Sequence, residues 1–251
     1  MKMSNKVPDV TVFFWIIKVL ATTVGETAAD FLATRLHLGL VLTSGIMTAA
    51  FAIALFVQLR SRRYIRGVYW TVVVFISVVG TLLSDNLVDN LGVSLHTTTI
   101  AFAGILAVVF ALWWASEKTL SVHSIVTRKR EGFYWAAILF TFALGTSAGD
   151  LVAESLQLGY AVSAVMFASA IGLTALAYYA FRVNGILAFW IAYVLTRPLG
   201  ASMGDLLSQP VKDGGIGLGT TVTSVAFLAT IVGLVAYLNG RQQRLPAAAQ
   251  L

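Results

Sequence analysis

Cysteine is absent from the 251 residues, which removes disulfides, thiolate metal sites and thiol catalysis together. Charge is nearly as scarce, at 11% of residues, while hydrophobic residues make up 58% and mean hydropathy is +0.85. A soluble domain needs about a quarter of its residues charged to cover its surface. This chain would instead expose apolar surface that water does not tolerate, so its solvent is largely lipid. No nucleotide-binding motif is present, so any energy coupling must come from ion gradients or a partner. The high isoelectric point, about 9.7, does not point to nucleic acid, because the basic residues sit where membrane topology requires them.

Eight apolar stretches are long enough to cross a bilayer as helices: 9–33, 40–59, 68–90, 95–115, 133–154, 160–181, 185–207 and 218–239. The first is not a cleaved signal, since Lys18, Glu26 and Asp30 interrupt it. Eight spans put both termini on one side. That side collects Lys2, Lys6, Arg60, Arg62, Arg63, Arg66, Lys118, Arg128, Lys129, Arg130, Arg182, Arg241 and Arg244, against Arg35 and Lys212 on the other. Thirteen against two places both termini in the cytoplasm by the positive-inside rule.

Internal self-similarity is plain. Trp15, Trp70, Trp135 and Trp190 each precede a glycine by ten residues, at Gly25, Gly80, Gly145 and Gly200. Five residues after each glycine stands an aspartate, Asp30, Asp85, Asp150 or Asp205, and nine further on Gly39, Ser94, Gly159 or Gly214. This W-x9-G-x4-D-x8-[GS] pattern divides a single membrane domain, 1–251, into repeats 7–64, 65–131, 132–184 and 185–240, with halves 7–131 and 132–240 offset by 120 residues. Each repeat holds two spans, so every copy has the same orientation. The expected fold is all-α: eight transmembrane helices as four helical hairpins around an axis along the membrane normal. It is not the inverted arrangement of many transporters.

Odd-numbered spans carry all the intramembrane charge, and charge in lipid turns inward. They form the inner ring; the even spans face lipid. Positions 3, 7, 11 and 15 after each tryptophan share one slowly drifting helical face. They are Lys18, Thr22, Glu26 and Asp30; Val73, Ser77, Thr81 and Asp85; Ile138, Phe142, Thr146 and Asp150; and Tyr193, Arg197, Ala201 and Asp205. Five carboxylates and two cations thus share one stripe. Such crowding couples their titration, as a cation site or a proton relay requires.

Plainer roles stand beside each of these. The glycines, each followed four residues later by a small residue (Ala29, Ser84, Gly149, Gly204), serve helix packing. Tryptophan suits an interfacial anchor. The aspartates, about 22 Å further along, suit solvated helix ends. Glu26 and Arg197 suit a static ion pair. Pro198 leaves the Val194 carbonyl without its helical donor, which suits a kink, a hinge or a cavity wall. His37, His96 and His123 read as surface residues. Asp89, Glu154 and Asp213 either extend an acidic mouth or are merely solvated.

The openings VTVFFWIIKVLATTVGETAAD, FYWAAILFTFALGTSAGD and FWIAYVLTRPLGASMGD resemble the bacterial membrane-anchored proteins built from four tandem two-helix repeats of unknown function, each with a signature tryptophan. The likeness spans about residues 7–240. It implies an eight-span protein of the bacterial cytoplasmic membrane and carries no activity with it. Ser94 and Ala201 depart from the repeat pattern, so symmetry at the centre is imperfect.

An all-oxygen acidic centre suits a hard divalent cation such as Mn or Mg. The expected function is a secondary transporter exporting such a cation against protons. Asp30, Asp85, Asp150 and Asp205 form the outer site, and with Glu26 they are the candidate metal ligands. Glu26 is the coupling carboxylate, Lys18, Arg197 and Pro198 act in coupling or gating, and Thr22, Ser77, Thr81 and Thr146 line the stripe. No resident cofactor is expected; the divalent cation is substrate. The partners are lipid, protons and the transported ion or small solute. A pseudo-tetrameric cation channel and a transporter of a small organic ion are the alternatives. An enzyme is not expected: Gly149-Asp150 and Gly204-Asp205 lack the GxGD pattern of intramembrane aspartyl proteases.

Overall fold

A computed structural model describes residues 5–243, so Lys2 and Arg244 of the topology count lie outside the described residues. Eight long helices follow one another: α1 Val12–Asp30, α2 Gly39–Arg60, α3 Arg66–Asp85, α4 Leu95–Glu117, α5 Arg128–Asp150, α6 Tyr160–Phe181, α7 Gly185–Ser208 and α8 Thr220–Gln243. There is no strand among the described residues. With no water to satisfy peptide groups in lipid, helices are the spanning solution for such sequences. All eight are long and apolar enough to cross a membrane, and their limits fall within a few residues of the sequence-derived spans, the largest difference being five residues at the start of α5. The chain is a multi-pass membrane protein.

The odd helices form a closed ring in which α1 packs on α3, α3 on α5, α5 on α7 and α7 on α1. Burial separates the layers: 56–61% of the most apolar stretch of each odd helix is buried, against 11–22% for each even helix. The outer helices show apolar residues to the surroundings, among them Ile53 and Phe56 of α2, Ile100 and Val108 of α4, and Leu173 of α6. Lipid tails are as apolar as these side chains, so inter-helix cohesion must come from close packing and polar contacts.

The hairpin is not the packing unit. Each even helix packs chiefly on the odd helix of the following repeat: α2 on α3, α4 on α5, α6 on α7, and α8 back on α1. The repeats are therefore interlocked, and the last closes the ring on the first. Hydroxyl pairs reinforce two of these seams, Ser163 with Ser202 at 2.7 Å and Ser224 donating to Thr27 at 2.7 Å.

The repeat glycines are where the inner helices meet. A Cβ on Gly25 would collide with Ser77, on Gly80 with Phe142, on Gly145 with Arg197 and on Gly200 with Thr22. In each case the obstacle is the side chain seven residues after the tryptophan of the next helix around. The packing role expected of these glycines is thus realised in all four copies. Pro198 lies in the same groove, with its Cδ near Gly145 and its Cα near Gly149, and α7 runs unbroken through it.

Directly after the first three repeat aspartates the helix widens into a π turn, at Phe31–Arg35, Asn86–Asn90 and Leu151–Ser155. The wider turns are closed by Leu36, Leu91 and Leu156 donating to carbonyls five residues back. The fourth copy differs because Pro210 cannot continue a helix. There α7 ends at Ser208, with Gln209 N–H donating to the Asp205 carbonyl at 2.8 Å.

Candidate functional site

The stripe positions of the four inner helices stack as layers along the ring axis. Lys18, Val73, Ile138 and Tyr193 form one, and Thr22, Ser77, Phe142 and Arg197 the next; all eight are completely buried. Glu26, Thr81, Thr146 and Ala201 follow, also buried. Asp30, Asp85 and Asp150 are half-buried at the end of the ring, and Asp205 is buried.

Arg197 organises the centre. From α7 its Nη1 donates to the Thr22 carbonyl of α1 at 2.9 Å. Its Nη2 donates to Glu26 Oε2 at 2.8 Å, to Thr146 Oγ1 at 2.6 Å and to Thr81 Oγ1. One guanidinium thus ties all three other inner helices, as its planar fork of donors permits. The threonines accept from it while passing their own protons to carbonyls four residues back, Ser77 and Phe142. Thr81 Oγ1 also lies 3.5 Å from Glu26 Oε2. Thr22 Oγ1 donates to Val19 at 2.6 Å and to Thr196 at 3.3 Å. The Glu26–Arg197 ion pair weighed from the sequence is therefore present, and buried.

Lys18 has no such partner. Its Nζ makes no hydrogen bond and lies 4.3 Å from the Phe142 ring centroid and 4.4 Å from that of Tyr193. The Arg197 guanidinium carbon is 5.6 Å from the same Phe142 ring. Two cations therefore share an aromatic neighbour, and only one has a carboxylate.

The four aspartates ring the other end without an ion pair among the described residues. Asp30 accepts from Gln209 Nε2 at 3.3 Å. Each of the four lies within electrostatic reach of Glu26, and Asp89 or Glu154 also bears on each, so the acidic mouth extends beyond the repeat aspartates. The candidate metal ligands Glu26, Asp30, Asp85, Asp150 and Asp205 do not converge: among the described residues no three His, Asp or Glu side chains are placed to hold one metal ion. This separation has a physical reason. Glu26 is held one layer inward by Arg197, and the aspartates hang from four separate helices around the ring.

The opposite end is closed by aromatic rings that the stripe argument passed over. Phe14, Tyr69, Tyr134 and Phe189 each precede a repeat tryptophan, and Tyr69 and Tyr134 share a 2.5 Å hydroxyl contact. Each packs on the tryptophan of the next inner helix: Phe14 on Trp70 at 5.8 Å, Tyr69 on Trp135 at 5.5 Å, Tyr134 on Trp190 at 6.3 Å and Phe189 on Trp15 at 5.6 Å. Trp70, Trp135 and Trp190 are 3–5% exposed, so the reading of them as interfacial anchors gives way to a cyclic aromatic seal. The signal was the invariant aromatic–tryptophan pair opening each repeat. Beside this seal Lys6, counted from sequence as a topology charge, is buried and bonded to Glu131 at 2.6 Å, with Gln58 Nε2 3.4 Å from the same carboxylate.

Four segments, 13–64, 68–119, 133–184 and 188–243, match the family model described as Repeat of Unknown Function (DUF347). The chain belongs to that family, with one two-helix copy per match. No curated protein matched the chain, and no solved structure did.

Proposed function

We propose that this four-repeat DUF347 protein is a secondary transporter of the bacterial cytoplasmic membrane, with both termini cytoplasmic, that exports a hard divalent cation of the Mn or Mg kind in exchange for protons. One observation carries the reading: a buried carboxylate, Glu26, is held by an internal arginine between an acidic mouth and an aromatic seal. Glu26 can serve Arg197, a cation or a proton, but one at a time. That competition is what coupling needs, because a cation and a proton exclude one another from Glu26, and Arg197 reclaims the carboxylate once either has left. In this reading Asp30, Asp85, Asp150 and Asp205 concentrate cations at the outer mouth, where carboxylate oxygens attract hard ions more than soft ones. The stripe's threonines exchange partners with Arg197 as the pair opens. No nucleophile or cofactor chemistry is needed, and the protein is not an enzyme.

The channel alternative is disfavoured by the aromatic layers and by Arg197 across the axis, since steady conduction needs a continuous path. The test is flux in proteoliposomes across a panel of cations. Simultaneous alanine substitution of Asp30, Asp85, Asp150 and Asp205 should abolish cation-dependent transport, and transport at the wild-type rate would end the assignment.

A further inference from the structure

A cavity of about 950 Å³ opens at the aromatic-seal end, where α1, the α2–α3 corner and the end of α8 meet. It lies away from the acidic mouth. Its walls carry three arginines from two separate elements, Arg63 and Arg66 at the corner and Arg241 on α8, against a single carboxylate, Asp9. Arg66 is bonded to Asn239 at 3.3 Å and so spans from the corner to α8. Arg63 and Arg241 are exposed and form no ion pair among the described residues. Phe14 and Trp70 line the interior side, while the α8 wall continues into Tyr237, which is open to the surroundings.

We propose that this cavity binds a phosphate group, as carried by the headgroup of an anionic phospholipid or by a free phosphate. Each feature serves that ligand. Guanidinium groups bind phosphate oxygens in a fixed fork. Basic pockets between helices at the membrane boundary select anionic headgroups. The volume lies within the range of small-molecule sites, about 300–1,000 Å³. A bound phosphate would join Arg63 to Arg241, at the seam where the last repeat closes on the first. It therefore steadies ring closure, whatever the transported solute proves to be.

The test uses the full-length chain in detergent, with phosphatidylglycerol, phosphatidylcholine and inorganic phosphate titrated in turn. Thermal unfolding and native mass spectrometry give the readouts. Phosphatidylglycerol should raise the melting temperature and remain as a one-to-one adduct, and phosphatidylcholine should do neither. Arg63→Gln with Arg241→Gln should weaken this binding about tenfold or more, while Arg182→Gln, a basic residue away from the cavity, should leave it unchanged. Equal stabilisation by inorganic phosphate, with no further gain from phosphatidylglycerol, identifies free phosphate as the source. The proposal is overturned if neither phosphate nor phosphatidylglycerol binds above phosphatidylcholine, if the double variant binds as the wild type does, or if Arg182→Gln weakens binding equally.

Discussion

Replacing Arg197 by methionine removes four donor contacts from the centre of the ring and leaves Glu26 without its cation. Interhelical hydrogen bonds in membranes average about 0.6 kcal/mol, so four account for about 2 kcal/mol. The stranded charge adds to that, and breaking a buried pair from one side costs about 3–5 kcal/mol in all. Glu26→Gln should also destabilise, because it leaves Arg197 as an uncompensated buried cation. The double variant Glu26→Gln, Arg197→Met strands neither charge, so it should cost less than the sum of the single variants by about 2–3 kcal/mol. Equilibrium unfolding in mixed micelles measures this cycle. Additivity within about 0.5 kcal/mol would refute the pair's central role. The double variant should also be inactive in flux assays although its stability is largely restored, which separates coupling from scaffolding.

Gly145→Val should destabilise by about 1–3 kcal/mol, since its side chain enters the space of Arg197, whereas Gly104→Ala on the outer helix α4, with nothing nearby, should be neutral or slightly stabilising; thermal unfolding compares them. Lys18→Met removes a buried cation that lacks a carboxylate, so unfolding should show stability retained or raised by about 1 kcal/mol or more, with transport lost if Lys18 takes part in coupling. Tyr69→Phe should cost about 0.5–1.5 kcal/mol through loss of the Tyr134 contact, again read by unfolding. The natural absence of cysteine makes single-cysteine labelling direct: His37→Cys should react with an impermeant maleimide applied to whole cells, and Ser61→Cys only after lysis.

Much of the ring was readable from residue types because lipid enforces simple rules. Charge on odd spans alone implied which helices lie inside, and the glycines implied close approach. Pairing of the even helices was not readable: their faces are apolar apart from scattered polar side chains such as Ser44, Gln58, Ser163 and Ser224, and residue type alone does not say whether those of α2 meet its hairpin partner α1 or its actual neighbour α3. The π turns after Asp30, Asp85 and Asp150 were also hidden, because one-residue widening leaves no composition mark. At the centre, the stripe placed Glu26 and Arg197 in neighbouring layers, and the length of the arginine side chain let the two meet. The same stripe suggested that five carboxylates converge. Their separate helices and the hold of Arg197 on Glu26 keep them apart. The tryptophans were misleading for a different reason: their place near the basic end matches an interfacial belt, and only the aromatic residue before each one marks the inward-facing seal.

The most direct test of coupling through Glu26 is proton movement in proteoliposomes carrying a pH-sensitive dye, with an imposed Mn or Mg gradient as the sole driving force. Wild-type protein should move protons opposite to the cation, and Glu26→Gln should abolish that movement while the protein stays folded. Cation flux without counter-movement of protons, or unchanged coupling in Glu26→Gln, would contradict the proposed mechanism.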